Sequence, residues 1–324
     1  MEKIQNITQS VQEELEAFNK LYSEALRHST HNFRFMLDFV SKKNGKRIRP
    51  LILILSAKLC GKCMPETLQY AVILELLHTA TLVHDDVVDN TMERRGQPSV
   101  MAQFDNRKAV LLGDYLLSQA IMRGVNTGNL LILRILSDLA QNLVEGELVQ
   151  LVSSSKIMLN EEVYFEVIWK KTASLFASCS ELGALSANAD KEQRKILWAI
   201  GKNLGICFQI RDDIFDYFEQ GDIGKPTGND IREGKITLPL IYALRISPPE
   251  RSEAMMRLIR EQNFSPTTIK CLIDFAKEYK GIEYAQAKMQ KIKGETIQLL
   301  NFFPDSEAKN ALADMIDYVI EREK

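Results

Sequence analysis

Two acidic pentapeptides of one pattern, Asp85-Asp86-Val87-Val88-Asp89 and Asp212-Asp213-Ile214-Phe215-Asp216, stand 127 residues apart in a chain of 324. Each follows an apolar run with helical spacing, residues 73–84 before the first and 204–211 before the second. On a helix the first and last Asp of each copy are i and i+4, so their carboxylates leave one face together. Such carboxylates are costly to bury without cations. Neither copy has a Lys or Arg at offsets that would neutralise both acids locally. The cheapest resolution is a set of divalent cations held between two facing helices. Hard oxygen ligands of this kind suit Mg²⁺, which keeps part of its water shell and binds substrate phosphates as well.

The rest of the chain supplies such helices. Apolar residues recur at helical intervals almost throughout, as in Leu51/Leu55/Leu59 and Leu312/Met315/Ile316/Val319, and strand alternation is hardly visible. Turn signals are few: Asn44-Gly45, Gly96-Gln97-Pro98, 124–128, 221–228 and Ser247-Pro248-Pro249. We expect an all-α bundle of ten or more helices with a central cavity, its two acidic motifs on opposite walls. No linker or low-complexity run divides the chain, so residues 1–324 read as a single domain. The flanks of the two motifs do not repeat, which gives no ground for internal duplication.

Composition excludes several classes. The net charge of −2 argues against a nucleic-acid binder. The N-terminal segment reads as a charged amphipathic helix, not a signal peptide, and no apolar run is long enough for a transmembrane segment. Cys60-Gly-Lys-Cys63 lacks the second pair of a zinc site and reads as a helix ending at Gly61. Five scattered cysteines fit a reducing cytoplasm.

Cations cluster as well. Gly45-Lys46-Arg47-Ile48-Arg49-Pro50 places three in a short turn, Arg94-Arg95 follow the first motif, and Lys170-Lys171-Thr172 and the stretch from Lys225 to Lys235 add two more groups. Guanidinium and ammonium groups of this kind fit phosphate oxygens. One such group alone reads as solvated surface. Together with two acidic motifs they describe a pocket for two polyanions, one bridged by metal and one gripped by cations. His78, two turns before Asp85 on the same face, joins this set; His84, His28 and His31 read as structural.

GKRIRP, LLHTATLVHDDVVDNTMERRGQPS, LGDYLLS, KTASLF, FQIRDDIFDYF and GKPTGNDIREGKITLPL follow one another over residues 45–240. In this the chain resembles the trans-isoprenyl diphosphate synthases, the head-to-tail (E)-polyprenyl chain-elongation enzymes of medium and long product. The resemblance implies the isoprenoid synthase fold and a homodimer. It implies an allylic prenyl diphosphate and isopentenyl diphosphate as substrates, with three Mg²⁺ ions on the allylic diphosphate. Asp85, Asp89 and Asp212 would bind metal, with Asp86, Asp213 and Asp216 in support. Arg94, Lys171, Gln209 and Lys235 would hold the allylic diphosphate, with Lys225 near its leaving group. Lys46, Arg49, His78 and Arg95 would hold isopentenyl diphosphate, and Thr172 would sit beside the reacting carbons. Residues 221–235 read as a lid.

Product length is expected to depend on the helix before the first motif. In the family, bulky aromatics at the fourth and fifth positions before the first Asp stop growth early. Here these are Thr81 and Ala80, with Leu77 a turn below. Both are small, so the tunnel is open to a chain of roughly C30 to C50, at about one isoprene unit per 5.4 Å helical turn. The alternatives are a terpene cyclase or head-to-head synthase, which does not need the second cationic site, and a non-catalytic subunit of a two-component synthase, which tends to lose its acidic motifs.

Overall fold

The computed structural model describes residues 2–27, 33–42, 45–94, 96–156, 160–218 and 228–322. Among them the chain forms α1 (Glu2–Gln9), α2 (Gln12–Leu26), α3 (Arg34–Ser41), α4 (Ile48–Cys60), α5 (Pro65–Val88), α6 (Val100–Gln103), α7 (Asn106–Asn126), α8 (Leu130–Lys156) and α9 (Glu161–Ile168). A π-helical turn (Trp169–Ala173) follows, then α10 (Ser174–Ser186), α11 (Lys191–Phe215), α12 (Asn229–Arg232), α13 (Leu238–Ile246), α14 (Pro249–Arg260), α15 (Pro266–Glu278), α16 (Gly281–Leu300) and α17 (Glu307–Glu321). The expected all-α architecture is observed. Its exception among the described residues is one short hairpin, β1 (Glu93–Arg94) paired antiparallel with β2 (Gln97–Pro98), for which Gly96 takes a φ of 72°.

The chain divides into two compact units. One comprises Met1–Gln141, Leu175–Gly201 and Phe303–Asp314. Its axis is α5, which starts with Pro65 at its first turn and with the Met64 N–H donating to Thr67 Oγ1 at 2.9 Å. Residues 70–78 of α5 are buried on every side, as a central helix requires. α2, α4 and α7 pack around it. Tyr22 on α2 and Thr79 on α5 share a 2.8 Å hydroxyl contact. α4 ends at Cys60, ahead of Gly61, as expected. The break expected over 124–128 comes at Thr127-Gly128, after the end of α7 at Asn126; Gly124 itself lies within the helix. A Cβ there would sit 2.8 Å from Leu136 Cδ1, so close packing accounts for this glycine.

The other unit comprises Asn142–Ser174, Lys202–Phe302 and Met315–Lys324. Its centre is α13, buried from Leu238 to Ile241 and packed by α9, α14, α15 and α16. Ser247-Pro248-Pro249 ends α13 and starts α14, as expected. Glu161, in the first turn of α9, fixes that helix. Its carboxylate takes Arg245 Nη1 at 2.7 Å, Lys288 Nζ at 2.8 Å and the Tyr284 hydroxyl at 2.8 Å. Tyr284 stacks on Tyr242 at 3.8 Å between ring centres. Burial raises the Glu161 carboxyl, but the bonds from Lys288 and Tyr284 and the charges of Lys288 and Arg245 outweigh it and hold the group below its ordinary value.

A depressed folded pKa contributes stability above the unfolded value and loses it as pH falls through the folded one. Glu161→Gln should therefore cost about 1 kcal/mol, at the low end because Arg245 is half exposed, or roughly 2–4 °C in calorimetric Tm. The gap between variant and wild type should be full at neutral pH and close as the pH falls below the ordinary carboxylate range.

Candidate active site

The first acidic motif forms the last turn of α5. Asp89 N–H donates to the Asp85 carbonyl at 2.8 Å, so the turn is helical and the two carboxylates share a face. Asp86 faces away and is 3% exposed. It accepts Arg94 Nε at 2.7 Å, because the hairpin after α5 returns Arg94 over the helix end. Arg94, expected to hold the allylic diphosphate, thus also neutralises this one acid from eight residues on. Of the cations at the start of α4, Arg47 is committed inward. It has a φ of 50°, bonds Glu75 at 2.6 Å, and lies 4.8 Å above the Tyr22 ring. Burial, then the Glu75 charge, pushes Tyr22 up to about 12. Lys46 is exposed, and the Arg49 guanidinium lies 5.4 Å over Phe176. His78, Ala80 and Leu77 are buried in α5, and Thr81 donates its hydroxyl to the His78 carbonyl at 2.9 Å. His84 Nε2 lies 3.3 Å from Asp114 and 3.1 Å from the Val110 carbonyl, in keeping with its structural reading.

The second motif forms the end of α11, and its three acids have different surroundings. Asp212, 41% exposed, accepts Arg322 Nη2 at 2.6 Å. The same guanidinium lies 3.9 Å over the Phe208 ring, and the Arg322 carbonyl accepts Arg211 Nε at 2.9 Å. Asp213 is buried and takes the Tyr164 hydroxyl at 2.6 Å and Gln209 Nε2 at 2.8 Å. Burial pushes the Asp213 carboxyl up; the two hydrogen bonds act against it, and Asp212 and Asp216 add to it. Asp216 accepts the backbone N–H groups of Asn229 and Asp230 at 2.8 and 3.0 Å, and so caps the first turn of α12. Asp230 is raised as well, first by burial and then by Asp213 and Asp216.

Lys171, Thr172, Gln209, Asp213 and Lys235 line one cavity of about 490 Å³, with Tyr164, Gln150 and Asp230. Val163, Val167, Ile168, Ile241 and Phe264 supply apolar wall. Lys171 and Thr172 lie in the π-helical turn, a local overwidening that re-aims side chains and recurs at functional sites. Thr172 Oγ1 donates to Gln209 Oε1 at 2.8 Å. Lys171 Nζ pairs with Glu147 at 2.6 Å, and Lys235 Nζ with Glu233 at 2.8 Å. Lys225 and Arg95 lie outside the described residues, as does 221–227 of the segment read as a lid. Sequence reasoning missed Tyr164, Glu147, Asp230 and Arg322. Tyr164 left a signal, since it stands two helical turns before Lys171. Arg322 left none.

Among the described residues no group of three or more Asp, Glu, His or Cys side chains is placed to hold a metal ion. Asp85 and Asp89 offer two carboxylates on one helical turn, and Asp212 already draws a guanidinium to its Oδ1.

Residues 31–275 match the model of the polyprenyl synthetase family. The chain belongs to this family. It is 31% identical to the octaprenyl diphosphate synthase of Escherichia coli K12 over 325 aligned positions, covering 100% of this chain and 99% of that protein. Its fold matches the crystal structure of a polyprenyl synthase from Caulobacter crescentus CB15, complexed with calcium and isoprenyl diphosphate. The TM-score there is 0.92 at 30% identity, over 99% of this chain and 98% of that one. A geranylgeranyl pyrophosphate synthase from Bacteroides thetaiotaomicron matches at TM-score 0.86 and 41% identity, over 99% and 100%. The polyprenyl synthases share the isoprenoid synthase fold, and this chain has it. The membership makes it a prenyltransferase. Among the described residues no helix is long and apolar enough to cross a membrane.

Gly146 on α8 controls how closely the π-helical turn approaches. A Cβ there would lie 2.8 Å from both Lys170 Cβ and the Lys171 backbone nitrogen. Gly146→Ala should push the turn away at a cost of about 1–3 kcal/mol. In a paired measurement of turnover and Tm, turnover should fall by a larger factor than the stability loss accounts for.

Proposed function

We propose that this protein elongates an allylic diphosphate, farnesyl or geranyl, with isopentenyl diphosphate, and releases pyrophosphate at each step. The product is a medium- to long-chain all-trans polyprenyl diphosphate of the kind used for quinone side chains. The observation that carries the reading is the convergence of Lys171, Thr172, Gln209 and Lys235 with Asp213 of the second acidic motif around one cavity.

By resemblance, Asp85, Asp89 and Asp212 would hold Mg²⁺, and Asp86, Asp213 and Asp216 set the carboxylates' surroundings. Bound Mg²⁺ would neutralise charge on the departing pyrophosphate. Lys171 and Lys235 take a share of that charge as the carbon–oxygen bond breaks, exchanging Glu147 and Glu233 for phosphate oxygens. Arg94 and Lys225 add to this grip by resemblance. The bonding pair leaves with the pyrophosphate, and an allylic cation remains. The oxygens of Thr172 and Gln209 face it without capturing it, and the apolar wall excludes water. Isopentenyl diphosphate, held by Lys46, Arg49, His78 and Arg95, presents its double bond to the cation. The new carbon–carbon bond forms, and the proton then lost passes to the released pyrophosphate.

Chain length rests on Ala80, Thr81 and Leu77. Ala80 is buried and small, and Leu77 lies a turn below it. The octaprenyl relative supports a long product; the geranylgeranyl neighbour, at higher identity, supports a shorter one. The small side chain of Ala80 favours the longer reading. The protein acts as a homodimer in this account. Leu111, Met122 and Val125 on α7 are each at least half exposed and offer apolar surface to a second copy.

Incubation with Mg²⁺, farnesyl diphosphate and labelled isopentenyl diphosphate should give dephosphorylated products of roughly C30 to C50, and Ala80→Phe should shorten them. A C20 product from the wild type would remove the length assignment and leave elongation standing. Asp85→Ala should abolish turnover; an active Asp85→Ala enzyme with intact Mg²⁺ dependence would overturn the metal assignment. Elongation by the purified single chain separates this reading from a cyclase and from a subunit that needs a partner.

A further inference from the structure

Tyr164 has no part in the steps above, yet it touches the most enclosed acid of the site. Its side chain is 7% exposed on the inner face of α9. Its hydroxyl donates to Asp213 Oδ2 at 2.6 Å. The other oxygen of the same carboxylate takes Gln209 Nε2 at 2.8 Å, and Gln209 Oε1 takes the Thr172 hydroxyl at 2.8 Å. All four residues line the cavity.

The direction of this chain follows from donor chemistry. A glutamine amide can turn either edge toward a neighbour. Asp213 accepts at both oxygens, Oδ2 from the Tyr164 hydroxyl and Oδ1 from Gln209 Nε2, so it selects the NH₂ edge of Gln209. The carbonyl edge must then point to Thr172, which gives it the hydroxyl proton. The lone pairs of Thr172 are left for the cavity, and the second lone pair of the Gln209 carbonyl has the same aim. Without the tyrosine hydroxyl, Asp213 Oδ2 would be a buried acceptor lacking its donor, and the carboxylate would rotate to share the Gln209 amide. The amide would then no longer be held to one edge.

We propose that Tyr164 is a positioning residue: through Asp213 it locks the Gln209 amide, and through Gln209 it aims the Thr172 and Gln209 oxygens at the carbon that becomes cationic. This rests on reading the cavity as the place where the allylic cation forms. The effect is on the transition state and not on diphosphate binding, since neither Tyr164 nor Asp213 is needed as a phosphate donor.

Tyr164→Phe tests it, because only the hydroxyl is removed and the buried ring stays. Turnover should fall about tenfold or more, with the KM of each diphosphate within about twofold of wild type. Two ligands then report the oxygens directly by calorimetry. An ammonium analogue of the allylic cation, bound with inorganic pyrophosphate, should lose about tenfold in affinity, as a cation that has lost aimed oxygens would. The thiolo-diphosphate of the allylic substrate, which does not ionise, should bind as before. Equal loss for both ligands would mean that Tyr164 only supports the fold, and an unchanged ammonium affinity would mean that it does not aim the oxygens; either overturns the proposal. A wild-type protein that neither elongates nor binds the ammonium analogue overturns the reading of the site itself, which is a different failure.

Discussion

A carboxyl enclosed in protein with no counter-ion on it among the described residues is the constraint from which the second half of the site follows. Asp213 is 3% exposed and stands between Asp212 and Asp216 on the same helix end. Such a group persists only where donors surround it. Two are supplied, by Tyr164 from α9 and Gln209 from one turn back on α11. That demand fixes how α9 approaches α11. Glu161 answers it from the solvent side, tying the start of α9 to α13 and α16 through Arg245, Lys288 and Tyr284. One buried carboxyl thus draws α9 onto α11, and residues of both helices line the cavity.

The same economy explains why a motif of three aspartates is not a set of three equal ligands. In the second copy Asp213 spends both oxygens on side-chain donors and Asp216 spends both on the backbone of Asn229 and Asp230. Asp212 is the more exposed, and a guanidinium lies on it. In the first copy Asp86 is turned inward to Arg94, and Asp85 and Asp89 keep the shared face. Helical geometry imposes this division: residues i and i+4 lie together, and residue i+1 points about 100° away. A pattern of two adjacent acids and a third four positions from the first therefore contains two outward carboxylates and an inward one wherever it sits at the end of a half-buried helix.

Much of this was legible in the sequence, for identifiable reasons. The i, i+4 placement of Asp85 and Asp89 needs only helical periodicity, and so does the burial of Leu77 and Ala80 a few turns earlier. The stop of α4 at Cys60 and the break at Ser247-Pro248-Pro249 follow from local backbone preferences. What escaped depends on contacts distant in sequence or on the chain doubling back. Arg94 reaches Asp86 because a two-residue strand pair reverses the chain, too short to show alternation. Arg47 looked like one of three phosphate-binding cations and is spent on Glu75, 28 residues away. Gly124, at the edge of the break expected over 124–128, is a packing position inside α7. Arg322 meets Asp212 across 110 residues, and nothing local distinguishes it from any other basic residue near a helix end.

The π-helical turn shows the limit most clearly, and also what the missing information buys. Residues 169–173 have an ordinary helical composition, so periodicity alone continues α9 straight into α10. The extra residue in the turn is stabilised from outside. Gly146 leaves room for its backbone, and Lys170 bonds Glu145 and Glu166 while Lys171 bonds Glu147 and Gln150. An α-helical path would rotate each later side chain by about 100° relative to the earlier ones. Tyr164 and Thr172 lie on opposite sides of that rotation, yet both must meet the face of α11 that carries Gln209 and Asp213. Eight residues apart, they would be about 80° out of phase on a regular helix. The wide turn takes up that mismatch, so that one helix can close both ends of a single hydrogen-bonded chain.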